Sequence, residues 1–166
     1  NGGISRYEKF EYLLVNILQK SIEKQELNQL LSHFSREVKK ALLECEVAKN
    51  IKELREKTKN TKWLIVSGGD QAELRDVFKQ RNLDGYFDGG IFGSPDNKDT
   101  ILNNEINNNN ILGKSLFLGD SMYDYRVATT AQMDFIFLSK WTELKHWSSV
   151  FNDNSYNDLT ALMREL

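Results

Sequence analysis

Four polar side chains at the ends of apolar runs carry the chemistry this sequence offers. They are Ser67 in Ser67-Gly68-Gly69, Lys98 just after the Gly93-Ser94-Pro95 turn, and Asp120 and Asp124 in Gly119-Asp120-Ser121-Met122-Tyr123-Asp124. A hydroxyl, open backbone N–H groups and an ammonium are what a phosphate dianion needs. Two carboxylates are what a hard cation such as Mg²⁺ needs, with water filling its octahedron. Each piece has a plainer use: Ser-Gly-Gly makes a turn, Gly-Asp-Ser caps a helix, and a single lysine is a solvated surface charge. Their shared placement is what joins them, because open α/β sheets bind ligands outside the carboxyl ends of their strands.

The elements that must position these groups begin near residue 61. Trp63-Leu64-Ile65-Val66 is a short unbroken apolar run, the pattern of a strand buried on both faces in a parallel sheet. Gln71 to Arg81 follows as a helix, with Leu74, Val77 and Phe78 on one side. Tyr86 to Phe92 is a weaker strand, and Lys98 to about Ile106 a helix. Ser115-Leu116-Phe117-Leu118 is the next strand, Tyr123 to Ala131 a short helix, Phe135 to Leu138 a last strand, and Thr142 to Phe151 a closing helix. Such alternation implies right-handed crossovers and a parallel sheet.

Ahead of residue 61 the pattern is helical throughout. Phe10, Leu13, Leu14, Ile17 and Leu18 share one helix face; Leu27, Leu30, Leu31, Phe34, Val38 and Leu42 share another. A third, polar segment runs from Val47 to Lys59, and Gly2-Gly3 with Ser5 as N-cap suits an opening turn. The Asn-rich patch around Asn103 to Asn110 reads as a solvated helix end and loop.

Composition sets the frame. With 166 residues the chain fits one domain, or one domain plus a small insertion. Lys and Arg number 22 against 24 Asp and Glu, a net charge of −2, which disfavours a basic nucleic-acid binder. The single cysteine, Cys45, excludes a disulfide framework and a multi-Cys metal site, and fits a cytoplasmic location. No apolar run is long enough to span a bilayer. His33 and His146 lack metal-ligand spacing, and Trp141 and Trp147 suit packing rather than a stacking platform.

With these residues in place, the sequence resembles the haloacid dehalogenase superfamily, in its phosphoglycolate-phosphatase-like branch. Ile65-Val66-Ser67-Gly68-Gly69 is similar to that family's motif two, Gly93 to Lys98 to the segment bearing the motif-three lysine, and Leu118 to Asp124 to motif four. The resemblance implies a Rossmann-like three-layer α/β core with a parallel sheet over residues 47–166, and an α-helical cap over residues 1–46. It implies a Mg²⁺-dependent phosphatase acting on a small phosphorylated metabolite through an aspartyl-phosphate, with no nucleic-acid or membrane partner. Asp120 would hold Mg²⁺ directly and Asp124 would support it; Ser67 and the Gly68 amide would bind a phosphoryl oxygen; Lys98 would neutralise charge there. Arg6 and Lys9 in the cap are candidates for an anionic leaving group.

One departure from the family is large. Motif one, D-x-D-G-T/V, which bears the nucleophile on the first and central strand, is absent. In the family's order the strands of motifs two and four flank that strand, so Ile65 and Leu116 would each face a gap. The expectation is a chain inactive by itself, its nucleophile strand missing. The alternative is a non-catalytic phosphate- or partner-binding module that has lost motif one. The sequence leaves substrate and oligomeric state open.

Overall fold

The computed structural model describes residues 6–165, so Gly2-Gly3 and the Ser5 cap fall outside the described residues. The chain divides into two compact units. One joins the described residues up to Cys45 with Leu64–Lys98; the other joins Glu46–Trp63 with the described residues from Asp99 onward. Strands alternate with helices, as the sequence implies, and every strand pair among the described residues is parallel.

In the first unit, helix α1 (Arg6–Tyr12) runs into a π turn over Leu13–Ile17, where Leu18 N–H donates to the Leu13 carbonyl at 2.9 Å. Helix α2 (Lys24–Glu44) packs back on it. Leu14, Leu27 and Leu31 form the buried contact, flanked by Phe10 and Leu30. The wider π turn carries Ile17 and Leu18 off the apolar face that helical spacing assigns them, and they stand 61% and 51% exposed. Strand β1 (Leu64–Asp70) leads straight into helix α4 (Gln71–Gln80), the fourth helix of the chain, and β1 pairs with β2 (Gly90–Ser94). Arg81, just past α4, closes the carboxyl end of α2: its guanidinium donates to the Leu42 and Cys45 carbonyls, each at 2.6 Å.

The pairing of β1 with β2 differs from expectation in an informative way. Leu64, Ile65 and Val66 oppose Gly90, Ile91 and Phe92 in register, but the next matched pair is Asp70 with Ser94. Ser67-Gly68-Gly69 is therefore not a turn after the strand. It is a bulge inside it, three residues opposite Gly93 alone, and a bulge re-aims the side chain it displaces. Nor is β1 buried on both faces: all seven of its residues are only half-buried.

In the second unit, helix α3 (Ile51–Lys57) precedes helix α5 (Lys98–Asn107), whose first residue, Lys98, belongs to the first unit. Strand β3 (Leu116–Gly119), helix α6 (Met122–Thr130) and strand β4 (Asp134–Leu138) follow. The closing helix is shorter than its pattern suggests. Thr142–Leu144 is not helical and His146 takes a left-handed φ of 61°, so only Ser148–Phe151 (α7) is helical. The chain then adds a two-residue strand, β5 (Ser155–Tyr156), and helix α8 (Leu159–Met163). Sheet order is β3-β4-β5. The core is aromatic. Phe137 is fully buried, stacked on Phe151 at 4.4 Å between ring centres and on Trp147 at 5.8 Å. Trp147 thus packs, as its sequence setting implies, while Trp141 is exposed.

Both sheets stop at a bare edge. Among the described residues, β1 pairs only with β2, and β3 pairs only with β4. Leu116 and Leu118 on β3 are exposed at 51% and 36%. Among the described residues no helix is long and apolar enough to cross a membrane.

Candidate functional site

The first unit places Ser67 and Gly68 in the bulge within the carboxyl half of β1, and Lys98 four residues beyond the end of β2. The Ser67 Oγ accepts from Gly69 N–H at 3.0 Å. Asp70 follows as N-cap of α4, its side chain accepting from Glu73 N–H at 3.0 Å. The Ser94 hydroxyl, 3% exposed, donates to the Gly68 carbonyl at 2.8 Å. Gly93 makes this approach possible, because a Cβ there would lie 2.3 Å from the Gly69 carbonyl oxygen. Sequence reasoning took Gly93 and Ser94 as a turn and missed both roles. The available signal was a pair of small residues at each of two neighbouring strand ends. Lys98 is half-buried at the first position of α5.

The second unit holds the acidic pair. Ser121 caps α6, accepting from Asp124 N–H at 3.1 Å, and donates back to Asp124 Oδ2 at 2.7 Å. The same oxygen accepts from Asp120 N–H at 3.3 Å. This is a reciprocal capping arrangement with Asp in the third helical position, and it buries Asp124 to 2% exposure. Asp120 is half-buried beside it. Tyr123 donates to Asp99 at 2.8 Å, tying α6 to the first turn of α5. Asp120 and Asp124 suit Mg²⁺ in donor chemistry and fall short in number. Among the described residues no cluster of three or more Asp, Glu, His or Cys side chains is arranged to hold a metal.

Gly119 is the tightest point of this turn. A Cβ there would lie 2.4 Å from Asp124 Cβ and 2.8 Å from its Cγ. Gly119→Ala is expected to cost about 1–3 kcal/mol through overpacking and to displace the Asp124 carboxylate. Urea unfolding reads the first effect and the Asp124 amide resonance the second. Unchanged stability and an unmoved resonance would show that the turn relaxes freely.

The cap candidates separate. Arg6 is 7% exposed and bidentate to Glu73, at 3.0 and 3.2 Å, with a further bond to Ser35 at 2.6 Å. The hydrogen bond to Glu73 raises its pKa above the ordinary arginine value, against the opposing effect of burial. Lys9, on the next turn of α1, is exposed. His33 is exposed and bonded through Nδ1 to Arg36 at 2.6 Å.

Parallel strands alternating with helices, with a hydroxyl near the end of one strand and two carboxylates after another, define an α/β protein with a candidate polar site. The chain belongs to the haloacid dehalogenase-like hydrolase family, whose pattern it matches over residues 7–138. Solved structures agree in fold. A predicted phosphatase from Clostridium acetobutylicum superposes with a TM-score of 0.73 at 16% identity, covering 98% of this chain and 77% of its own. A haloacid dehalogenase-like hydrolase from Streptococcus pneumoniae gives 0.67 at 17%, covering 92% and 76%. A superfamily hydrolase from Ehrlichia chaffeensis gives 0.56 at 20%, covering 98% and 87%. No curated protein matches the sequence.

Proposed function

We propose that the protein is a Mg²⁺-dependent phosphomonoester hydrolase acting on a small phosphorylated metabolite. The observation that carries this reading is a retained kit of two kinds. A serine hydroxyl and a Gly-Gly backbone stand in the carboxyl half of β1, and an acidic pair stands beyond the carboxyl end of β3, in a member of a hydrolase family. A binding module without turnover has little use for both.

The nucleophile would be an aspartate on a strand that is not among the described residues, and the bare edges of β1 and β3 are each able to accept one. It would attack phosphorus as the ester P–O bond breaks and the alcohol leaves, forming an aspartyl-phosphate that water then hydrolyses to inorganic phosphate and free aspartate. Ser67 and the Gly68 amide would hold a phosphoryl oxygen in line, and Lys98 would offset the charge that builds there. A Mg²⁺ ion held by Asp120, with Asp124 orienting it, would neutralise phosphoryl charge. Residues 1–46 would act as a cap that sets specificity, with exposed Lys9 facing an anionic leaving group. The same role for Arg6 requires its Glu73 pair to open.

The test is hydrolysis of p-nitrophenyl phosphate by the protein joined to a D-x-D strand ahead of Asn1. We expect turnover that Mg²⁺ restores after chelation, and none from the 166-residue chain alone. Phosphate binding without turnover in the joined protein would instead identify a non-catalytic phosphate-binding module.

A further inference from the structure

We infer that Ser94 is a positioning residue for the Ser67 hydroxyl, acting through the peptide between Gly68 and Gly69. The inference rests on the reading of Ser67 as a phosphate ligand and adds a residue that reading does not contain.

One planar peptide unit is held at both ends. Its carbonyl oxygen, on Gly68, accepts from the buried Ser94 hydroxyl at 2.8 Å, and its N–H, on Gly69, donates to Ser67 Oγ at 3.0 Å. Because the unit is rigid, fixing the carbonyl fixes the direction of the N–H. A serine hydroxyl has one hydrogen to donate and two lone pairs to accept with. Gly69 N–H occupies a lone pair of Ser67, so the Ser67 hydrogen points elsewhere, and among the described residues no acceptor takes it. The bonds run head to tail: Ser94 O–H to Gly68 carbonyl, Gly69 N–H to Ser67 Oγ, Ser67 O–H outward. Bonds aligned in this way polarise one another, which strengthens the last donor. That donor is suited to an anionic oxygen.

The surrounding geometry serves this chain of bonds. The register shift between β1 and β2 places Ser67-Gly68-Gly69 opposite Gly93, and the absence of a side chain at Gly93 lets the two backbones approach. A plain structural role, satisfying one buried hydroxyl, would make Ser94 matter to stability and leave ligand affinity alone.

The experiment is calorimetric titration of inorganic phosphate into the 166-residue chain and into Ser67→Ala, Ser94→Ala, the double variant and Ser94→Thr. The Gly69 amide resonance is followed in each. Loss of one hydrogen bond to an anion weakens phosphate binding by about tenfold in either alanine variant. If Ser94 acts through Ser67, the double variant is also about tenfold weaker, not a hundredfold. Threonine, which keeps the hydroxyl, restores binding, and the Gly69 amide shifts in Ser94→Ala. Unchanged affinity in Ser94→Ala, or additive losses in the double variant, overturns the inference and leaves Ser67 as a ligand. Absent binding to the unaltered chain, or full binding by Ser67→Ala, overturns the phosphate reading and the inference with it. Should Ser94→Ala not fold, Ser94→Cys keeps the volume with a weak donor, and full affinity there is equally decisive against Ser94.

Discussion

Replacing Arg6 by alanine is expected to destabilise the protein by about 3–5 kcal/mol, because it strands the Glu73 carboxylate in a buried site. Both side chains are nearly closed off, at 8% and 9% exposure, and the guanidinium spans α1, α2 and α4 through Glu73 and Ser35. Glu73→Ala should cost a similar amount by stranding the guanidinium. The double variant Arg6→Met with Glu73→Leu should recover most of the loss, since apolar groups of similar volume often replace a buried pair without penalty. Urea unfolding at neutral pH measures all three. Single-variant losses below about 1 kcal/mol would mean that the pair behaves like an exposed one. The pH dependence has a definite sign. A raised arginine pKa contributes stability that is complete below the unfolded value and is lost only as pH climbs through the folded one. The pair therefore holds throughout neutral and mildly alkaline solution. The Lys39–Asp76 pair, exposed between α2 and α4, behaves oppositely. Its hydrogen bond from Lys39, aided by Gln80, lowers the Asp76 pKa, so its small contribution fades as pH falls, and salt screens it.

Much of the architecture is legible in the sequence, because it rests on local signals. The helices from Gln71, Lys98 and Met122 each start within one residue of their expected positions. Two of them are marked by Asx or Ser caps, Asp70 and Ser121, that compete for exposed backbone N–H groups. The readings that failed depend on neighbours. Leu64, Ile65 and Val66 look like a doubly buried strand, but burial depends on what packs on each face and edge, and all seven residues of β1 are only half-buried. Thr142 to Phe151 reads as one closing helix, but Thr142–Leu144 is not helical and His146 takes a left-handed φ, so the helix forms only at Ser148–Phe151. The two-residue β5 is too short for a period-2 signal and exists because β4 offers it an edge.

The candidate residues stand out by type in the sequence: Ser67 and the Asp120–Asp124 pair lie where strands pass into helices, and such junctions have compact signatures. The Ser94 hydrogen bond to the Gly68 carbonyl has no such signature, because it joins residues 26 positions apart, through a register shift that no local pattern encodes. The pairing of Arg6 is hidden from the sequence for the same reason: its partner Glu73 lies 67 residues later and meets it only in the fold.

Each sheet, among the described residues, also ends on an unpaired edge. A strand edge exposes a row of N–H and C=O groups, and natural proteins protect such edges with charge, proline or short length. Neither β1 nor β3 carries a charge or a proline between its first apolar residue and its glycines. Leu116 and Leu118 stand exposed on a strand that would otherwise invite aggregation. Each such edge is suited to pairing with a further strand.

Lys98→Ala, in the protein joined to a D-x-D strand, is expected to lower kcat about 10²–10³-fold, the usual loss on removing one preorganised electrostatic partner of the transition state. The argument is one of charge. Phosphoryl transfer leaves little covalent work to the protein, so an ammonium beside the phosphoryl oxygens acts mainly on the transition state. KM for p-nitrophenyl phosphate should therefore change much less than kcat. Lys98→Arg keeps the charge on a bulkier, planar group and should restore part of the rate. Lys98→Gln keeps length without charge and should resemble alanine. Stability should move little in all three, since Lys98 is only half-buried at the first position of α5, where the helix can form without it. Equal rates in Lys98→Ala and the unaltered protein would remove this lysine from the phosphate site. A fall in KM matching the fall in kcat would assign it to ground-state strain instead of charge compensation.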